Sequence, residues 1–121
     1  MTGTGLKELA GLKKLTRLDI EITPLTRAGL KEMARLKQLR WLNLTLTRLT
    51  DADLKPLSGL KQLRWLSLHG TKLTDAGLNE LTSLDELQTL YLSSTDVTDA
   101  GLKQLARLEN LKELYLSLIH I

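Results

Sequence analysis

The chain has 121 residues, enough for one domain, with hydrophobic residues at 42%, charged residues at 26% and a formal net charge of +3. That balance fits a folded protein and excludes a disordered, strongly charged one. There is no cysteine and no phenylalanine, and aromatics make up 3%. Disulfides, thiol catalysis and cysteine-held metals are therefore excluded, and the core must be aliphatic. No apolar run approaches the roughly 20 residues of a membrane helix, so no membrane partner is expected.

In chain order the sequence divides without gaps into five units of 24 residues, 1–24, 25–48, 49–72, 73–96 and 97–120, with Ile121 left over. Seven positions within the unit are apolar in every copy: 1, 6, 9, 12, 15, 18 and 20. Position 2 is always Thr, position 5 is Gly except for Asp53, and position 23 is Thr until Ile119. Positions 6, 9 and 12 are spaced for one face of a helix, whereas 18 and 20 are spaced for a short strand. Thr at position 2 is a good helix N-cap, and Asp51, Asp75 and Asp99 then fall in the first turn, where the helix dipole favours them. Leu73 and Leu78 fit a hydrophobic staple around that cap. Pro56 interrupts the third helix, which is expected to be short or irregular. A single unit cannot bury enough surface to fold alone, so the units must stack. Strands stack about 4.8 Å apart and helices about 10 Å, so the array must curve with its strands inside.

The pattern LxxLxLxxTxLTDxGLxxLxxL resembles a leucine-rich repeat. Leu63, Leu66, Leu68, Thr71, Leu73, Thr74, Asp75, Gly77, Leu78 and Leu81 carry one full copy. The LTDAGLxxL form looks like bacterial repeats and like the cysteine-containing class with Thr in place of Cys. The resemblance implies an α/β fold, a curved solenoid with short parallel strands on the concave face and helices on the convex face. In that family an Asn often satisfies loop backbone groups at the place of position 23; Thr71 and its equivalents are expected to do the same with a hydroxyl.

Strand residues facing away from the core occupy positions 17, 19 and 21. They read Arg17, Trp41, Trp65, Thr89, Glu113; then Asp19, Asn43, Ser67, Tyr91, Tyr115; then Glu21, Thr45, His69, Ser93, Ser117. All four aromatic residues of the chain lie in these columns. Trp41 and Trp65 should be neighbours on adjacent strands, with Arg17 able to stack on Trp41. The expected partner-binding set is Arg17, Trp41, Asn43, Trp65, Ser67, His69, Tyr91 and Tyr115. The expected function is a non-catalytic module holding a protein or peptide on the concave face; the alternative is target recognition for a larger enzyme or ligase. Nucleic acid or glycan ranks lower, because the net charge is low and Asp19, Glu21 and Glu113 share the face. No catalytic, cofactor or metal site is expected: His69 lacks an acidic partner column, and Asp19 with Glu21 is better read as a solvated acidic edge.

Neither terminal unit has a polar cap, so self-association through leucine-rich ends is expected. The last six residues, Leu-Ser-Leu-Ile-His-Ile at 116–121, are what CTG-TCT-CTT-ATA-CAC-ATC encodes, which looks like a transposase sequencing adaptor. The chain is accordingly expected to be a translated fragment of environmental DNA whose tail is not native, so His120 is not a candidate ligand.

Overall fold

A computed structural model describes residues 5, 8–9, 11–21 and 23–117. Met1 and the tail from residue 118 lie outside the described residues, and with them the expectations about Ile119 and His120. Five three-residue strands recur every 24 residues: β1 Arg17–Asp19, β2 Trp41–Asn43, β3 Trp65–Ser67, β4 Thr89–Tyr91 and β5 Glu113–Tyr115. They form one open parallel sheet in the order β1-β2-β3-β4-β5, and Arg17, Trp41, Trp65, Thr89 and Glu113 share one register. Between the strands lie α1 Arg27–Met33, a 3-10 turn Asp51–Asp53 running into α2 Leu54–Leu57, α3 Asp75–Leu81, and α4 Asp99–Gln104 continuing as 3-10 turn Leu105–Arg107. This is the α/β solenoid that the repeat implies. Pro56 sits inside α2, which keeps only four residues, as a missing amide and a bulky ring dictate.

The core is a leucine stack. Leu42, Leu66 and Leu90 from the strand centres and Leu44, Leu68 and Leu92 just after them are fully buried, together with Leu54, Leu78 and Leu81 from the helices. Leu73 and Leu78, the staple pair, are both inaccessible. The interior units are therefore sealed on both sides, whereas Leu12 in the first unit is 51% exposed. The Thr at position 23 does what the resemblance implies: Thr47, Thr71 and Thr95 are buried, and each hydroxyl donates to the carbonyl three residues back, Leu44, Leu68 and Leu92, at 2.7 Å.

The capping Thr behaves differently from the simple expectation. Among the described residues Thr26 makes a short cap bond, accepting from Gly29 N at 3.0 Å, while Thr74 accepts from Ala76 N at 3.4 Å. Thr74 and Thr98 instead turn their donors to the preceding unit. Asp51 accepts from Thr74 N at 2.8 Å and from the Thr74 hydroxyl, and Asp75 accepts from Thr98 N at 2.7 Å and from the Thr98 hydroxyl. Asp51 and Asp75, at position 3, are thus unit-to-unit clamps besides being first-turn charges. Their reach explains position 5. A β-carbon on Gly77 would lie 2.3 Å from Asp51 Oδ1, and one on Gly101 2.2 Å from Asp75 Oδ1.

The exception at Asp53 follows the same logic. The second unit carries Arg27 where an aspartate would be, so Thr50 has no clamp from before. Asp53 supplies one from within its own unit: its Oδ2 accepts from both Thr50 N and Thr50 Oγ1 at 3.0 Å. Its other oxygen meets Arg27 Nε at 3.5 Å. Arg27 and Asp53 replace Asp and Gly together.

Candidate protein-binding face

The parallel register places equivalent residues side by side on the sheet face turned away from the helices. Trp41 and Trp65 stack with ring centroids 4.3 Å apart and planes 11° from parallel. Tyr91 and Tyr115 stack at 4.1 Å and 6°. Trp65 joins the two pairs, 5.2 Å from Tyr91 and tilted by 49°. The tilt falls where the column steps from position 17 to position 19. At the other end the Arg17 guanidinium carbon lies 3.9 Å from the Trp41 centroid, a close cation–π contact. The result is one ladder, Arg17–Trp41–Trp65–Tyr91–Tyr115, crossing all five strands.

Beside this ladder runs a hydrogen-bonded polar row. Asn43 donates to Glu21 Oε2 at 3.3 Å and accepts from Thr45 N and Thr45 Oγ1 at 3.1 and 2.6 Å. The Thr45 and Ser67 hydroxyls are 2.7 Å apart, and Ser67 Oγ accepts from His69 N at 3.4 Å. Farther along, Ser117 donates to Ser93. Glu113 accepts from Thr89 Oγ1 at 3.0 Å and from the Tyr115 hydroxyl at 3.1 Å. The hydrogen bond to Glu113, then that with the Tyr91 hydroxyl, and the Glu113 charge push the Tyr115 phenol up to about 12, because the phenolate would lose its acceptor and face a carboxylate.

The eight residues singled out from sequence are not equally available. Arg17 and Tyr115 are exposed, and Trp41, Trp65, His69 and Tyr91 are half-buried. Asn43 and Ser67 are 9% and 2% exposed and committed to the polar row. As placed, both offer a partner little surface. Alternation places them on the right face, but side chains this short are buried close to the sheet in their hydrogen-bonded row. Thr89 and Ser93 are buried for the same reason. Glu113, expected to share the face as one of its acids, links the last two strands through Thr89 and Tyr115. Its signal in the sequence is its place beside Thr89 in the position-17 column. Among the described residues no group of three or more His, Asp or Glu side chains is placed to hold a metal ion. No described helix is long and apolar enough to cross a membrane.

The leucine-rich repeat family model matches residues 13–73 and 37–97, which together exceed half of the chain. The chain belongs to the leucine-rich repeat family. Its fold is similar to that of internalin C2 from Listeria monocytogenes, at 33% identity and a TM-score of 0.81, covering 96% of this chain and 48% of that one. It is also similar to a leucine-rich repeat protein of Leptospira interrogans, at 29% identity and a TM-score of 0.72, covering 97% of this chain and 30% of that one. A plant peptide hormone receptor shares the fold at 19% identity and a TM-score of 0.57, over 95% of this chain and 19% of the receptor. Leucine-rich repeat chains of this family are typically protein-recognition modules. No curated protein sequence matches the chain. The chain thus spans about half of the Listeria structure and under a third of the Leptospira one.

Proposed function

We propose that the chain is a non-catalytic protein-binding module whose ladder face is its recognition surface. One observation carries this reading: the aromatic side chains form a single cross-strand column ending on an arginine, in a protein whose core is otherwise aliphatic. Trp, Tyr and Arg are enriched among the residues that dominate binding energy at protein interfaces: Trp and Tyr bury large areas with two rotors to freeze, and Arg adds a planar charged fork. The ring geometry narrows the partner. Trp41 is sandwiched between Arg17 and Trp65, and Trp65 and Tyr91 each carry a stacked ring on one face and a tilted ring 5.2 Å away on the other, which leaves bases or sugars little open face to stack on there. What remains is ring edges, the Trp indole N–H and a polar row, a surface matched to peptide side chains and carbonyls.

The test is a peptide selected against the immobilised protein, remeasured on the Trp41→Ala, Trp65→Ala double variant. Affinity should fall at least tenfold, as expected for about 1.4 kcal/mol or more of lost anchor contact. The variant must retain its far-ultraviolet circular dichroism, because paired aromatics also contribute about 0.5–1.5 kcal/mol to the sheet. Unchanged affinity in a folded variant would reject the ladder as the binding surface.

A further inference from the structure

The turns that lead into the strands carry the most uneven charge in the molecule. Residues 13–17 read KKLTR, 37–41 KQLRW and 61–65 KQLRW; residues 85–89 read DELQT and 109–113 ENLKE. The first three segments hold seven cations and no acid, while the last two hold four acids and one cation. The in-register pairing of β1, β2 and β3 sets the three basic segments side by side along one edge of the ladder face. Two strand spacings make that edge about 10 Å long. Its backbone is fixed: Arg40 N and Trp41 N share the Thr16 carbonyl at 2.8 and 3.0 Å, and Arg64 N and Trp65 N share that of Arg40 at the same distances.

Like charges in neighbouring registers repel. Arg40 and Arg64 are exposed, and neither guanidinium has an ion pair or hydrogen bond among the described residues. The acids of the face are by contrast engaged: Asp19 by Glu21 N, Glu21 by Asn43, and Glu113 by Thr89 and Tyr115. Those bonds come from neutral donors and leave the carboxylate charges in place, but within the edge itself, residues 13–17, 37–41 and 61–65, every charge is positive.

We propose that this basic lip receives a short acidic segment of the partner polypeptide. Its carboxylates face Arg40 and Arg64, and its apolar side chains lie against the edges of Trp41 and Trp65. The inference rests on the ladder-face reading and specifies the partner's chemistry. A segment of about three extended residues, at roughly 3.3 Å each, spans the lip. A nucleic acid fits less well. Its uniform negative charge would continue past the lip into Asp85, Glu86, Glu109 and Glu113, and the ladder leaves its bases little interior ring face.

Fluorescence anisotropy tests this with three probes: a rhodamine-labelled hexapeptide of four glutamates and two leucines, the same peptide with glutamines, and a labelled twelve-nucleotide oligothymidylate. The acidic peptide should bind at low ionic strength and weaken as salt is added. Arg40→Gln with Arg64→Gln should weaken it at least tenfold. Lys31→Gln with Lys103→Gln removes the same net charge from exposed helix positions and should change it less than twofold. Equal losses in the two charge variants, no binding of the acidic peptide, or tighter binding of the oligothymidylate would each overturn the proposal. A glutamine peptide that binds as well as the acidic one, yet is lost in Trp41→Ala, Trp65→Ala, overturns the acidic preference alone and leaves the ladder face as the binding surface.

Discussion

Asp75 takes both donors of Thr98 and leaves no space for a β-carbon on Gly101. The hydroxyl bond from Thr98, then the amide bond, hold the Asp75 carboxyl below the ordinary carboxylate value, against a smaller opposing effect of burial. A depressed folded-state pKa means that the clamp stabilises above the unfolded value of about 3.9 and is lost as pH falls through the folded one. Asp75→Ala should cost about 1–2 kcal/mol at pH 7, from two partly exposed charge-assisted bonds. That difference from the unmutated protein should shrink below about pH 4, a convergence that urea unfolding at several pH values measures. Gly101→Ala gives a test of opposite sign to helix propensity. Alanine favours an open helix by about 0.8–1 kcal/mol, but here the new carbon meets a bonded carboxylate. We expect a net destabilisation of about 1 kcal/mol or more, and partial recovery when Asp75→Ala is added, because the clash then disappears. At Tyr115 the prediction is spectroscopic. One of the chain's two tyrosines should ionise only near pH 12 in an ultraviolet titration, and Glu113→Gln should move that ionisation down.

At the scale of elements, the turns after β2, β3 and β4 each hold the residue at position 22 in the left-handed region, Leu46 at φ 58°, Gly70 at φ 70° and Ser94 at φ 58°, and the first of them adds Arg48 at φ 63°. Only the glycine adopts that conformation without steric cost. Leu46 is also 47% exposed, so its burial offsets little of that cost. Leu46→Gly should stabilise the protein by about 0.5–1 kcal/mol, read as a rise in the thermal midpoint. This turn was illegible in the sequence because its special residue is Leu, Gly or Ser in successive units, with no type conserved between them. The strands and helices were legible because each unit has seven fixed apolar positions, and the break in α2 because Pro56 has a single steric meaning. The ladder was legible from its columns. What the sequence could not reveal was which small polar residues in those columns would be covered: Asn43, Ser67 and Thr89 are buried and hydrogen-bonded to side chains one strand away, and that depends on three-dimensional spacing. The Asp-to-Thr clamp was hidden for a related reason. Asp and Thr at adjacent positions read as a local cap, whereas the bonds run between residues 23 apart.

Across the whole molecule these clamps make the order of units matter. Asp51 serves Thr74 beside Gly77, and Asp75 serves Thr98 beside Gly101. Arg27 offers no acceptor to a following Thr, and Asp53 is the acid that compensates for it. Two deletions of equal length separate this pairing from generic loss of core. Removing residues 73–96 brings Asp51 against Thr98 and Gly101, the same combination that each had before, and keeps Arg27 with Asp53. Removing residues 49–72 brings Arg27 against Thr74 and Gly77, so two carboxylate bonds have no acceptor and the Arg27–Asp53 pair is gone. The aromatic ladder provides the internal control. Either deletion leaves one stacked pair and one diagonal contact, Trp41–Trp65 with Tyr115 in the first case and Tyr91–Tyr115 with Trp41 in the second. Both variants should therefore lose similar apolar burial, and the difference between them reports the clamps. The variant lacking 49–72 should be the less stable by about 1–3 kcal/mol, given two charge-assisted bonds and one exposed ion pair. Guanidinium unfolding midpoints of the two variants measure it, with equal slopes expected from equal exposed surface. Equal midpoints would mean that leucine stacking alone holds the units together, whatever their order.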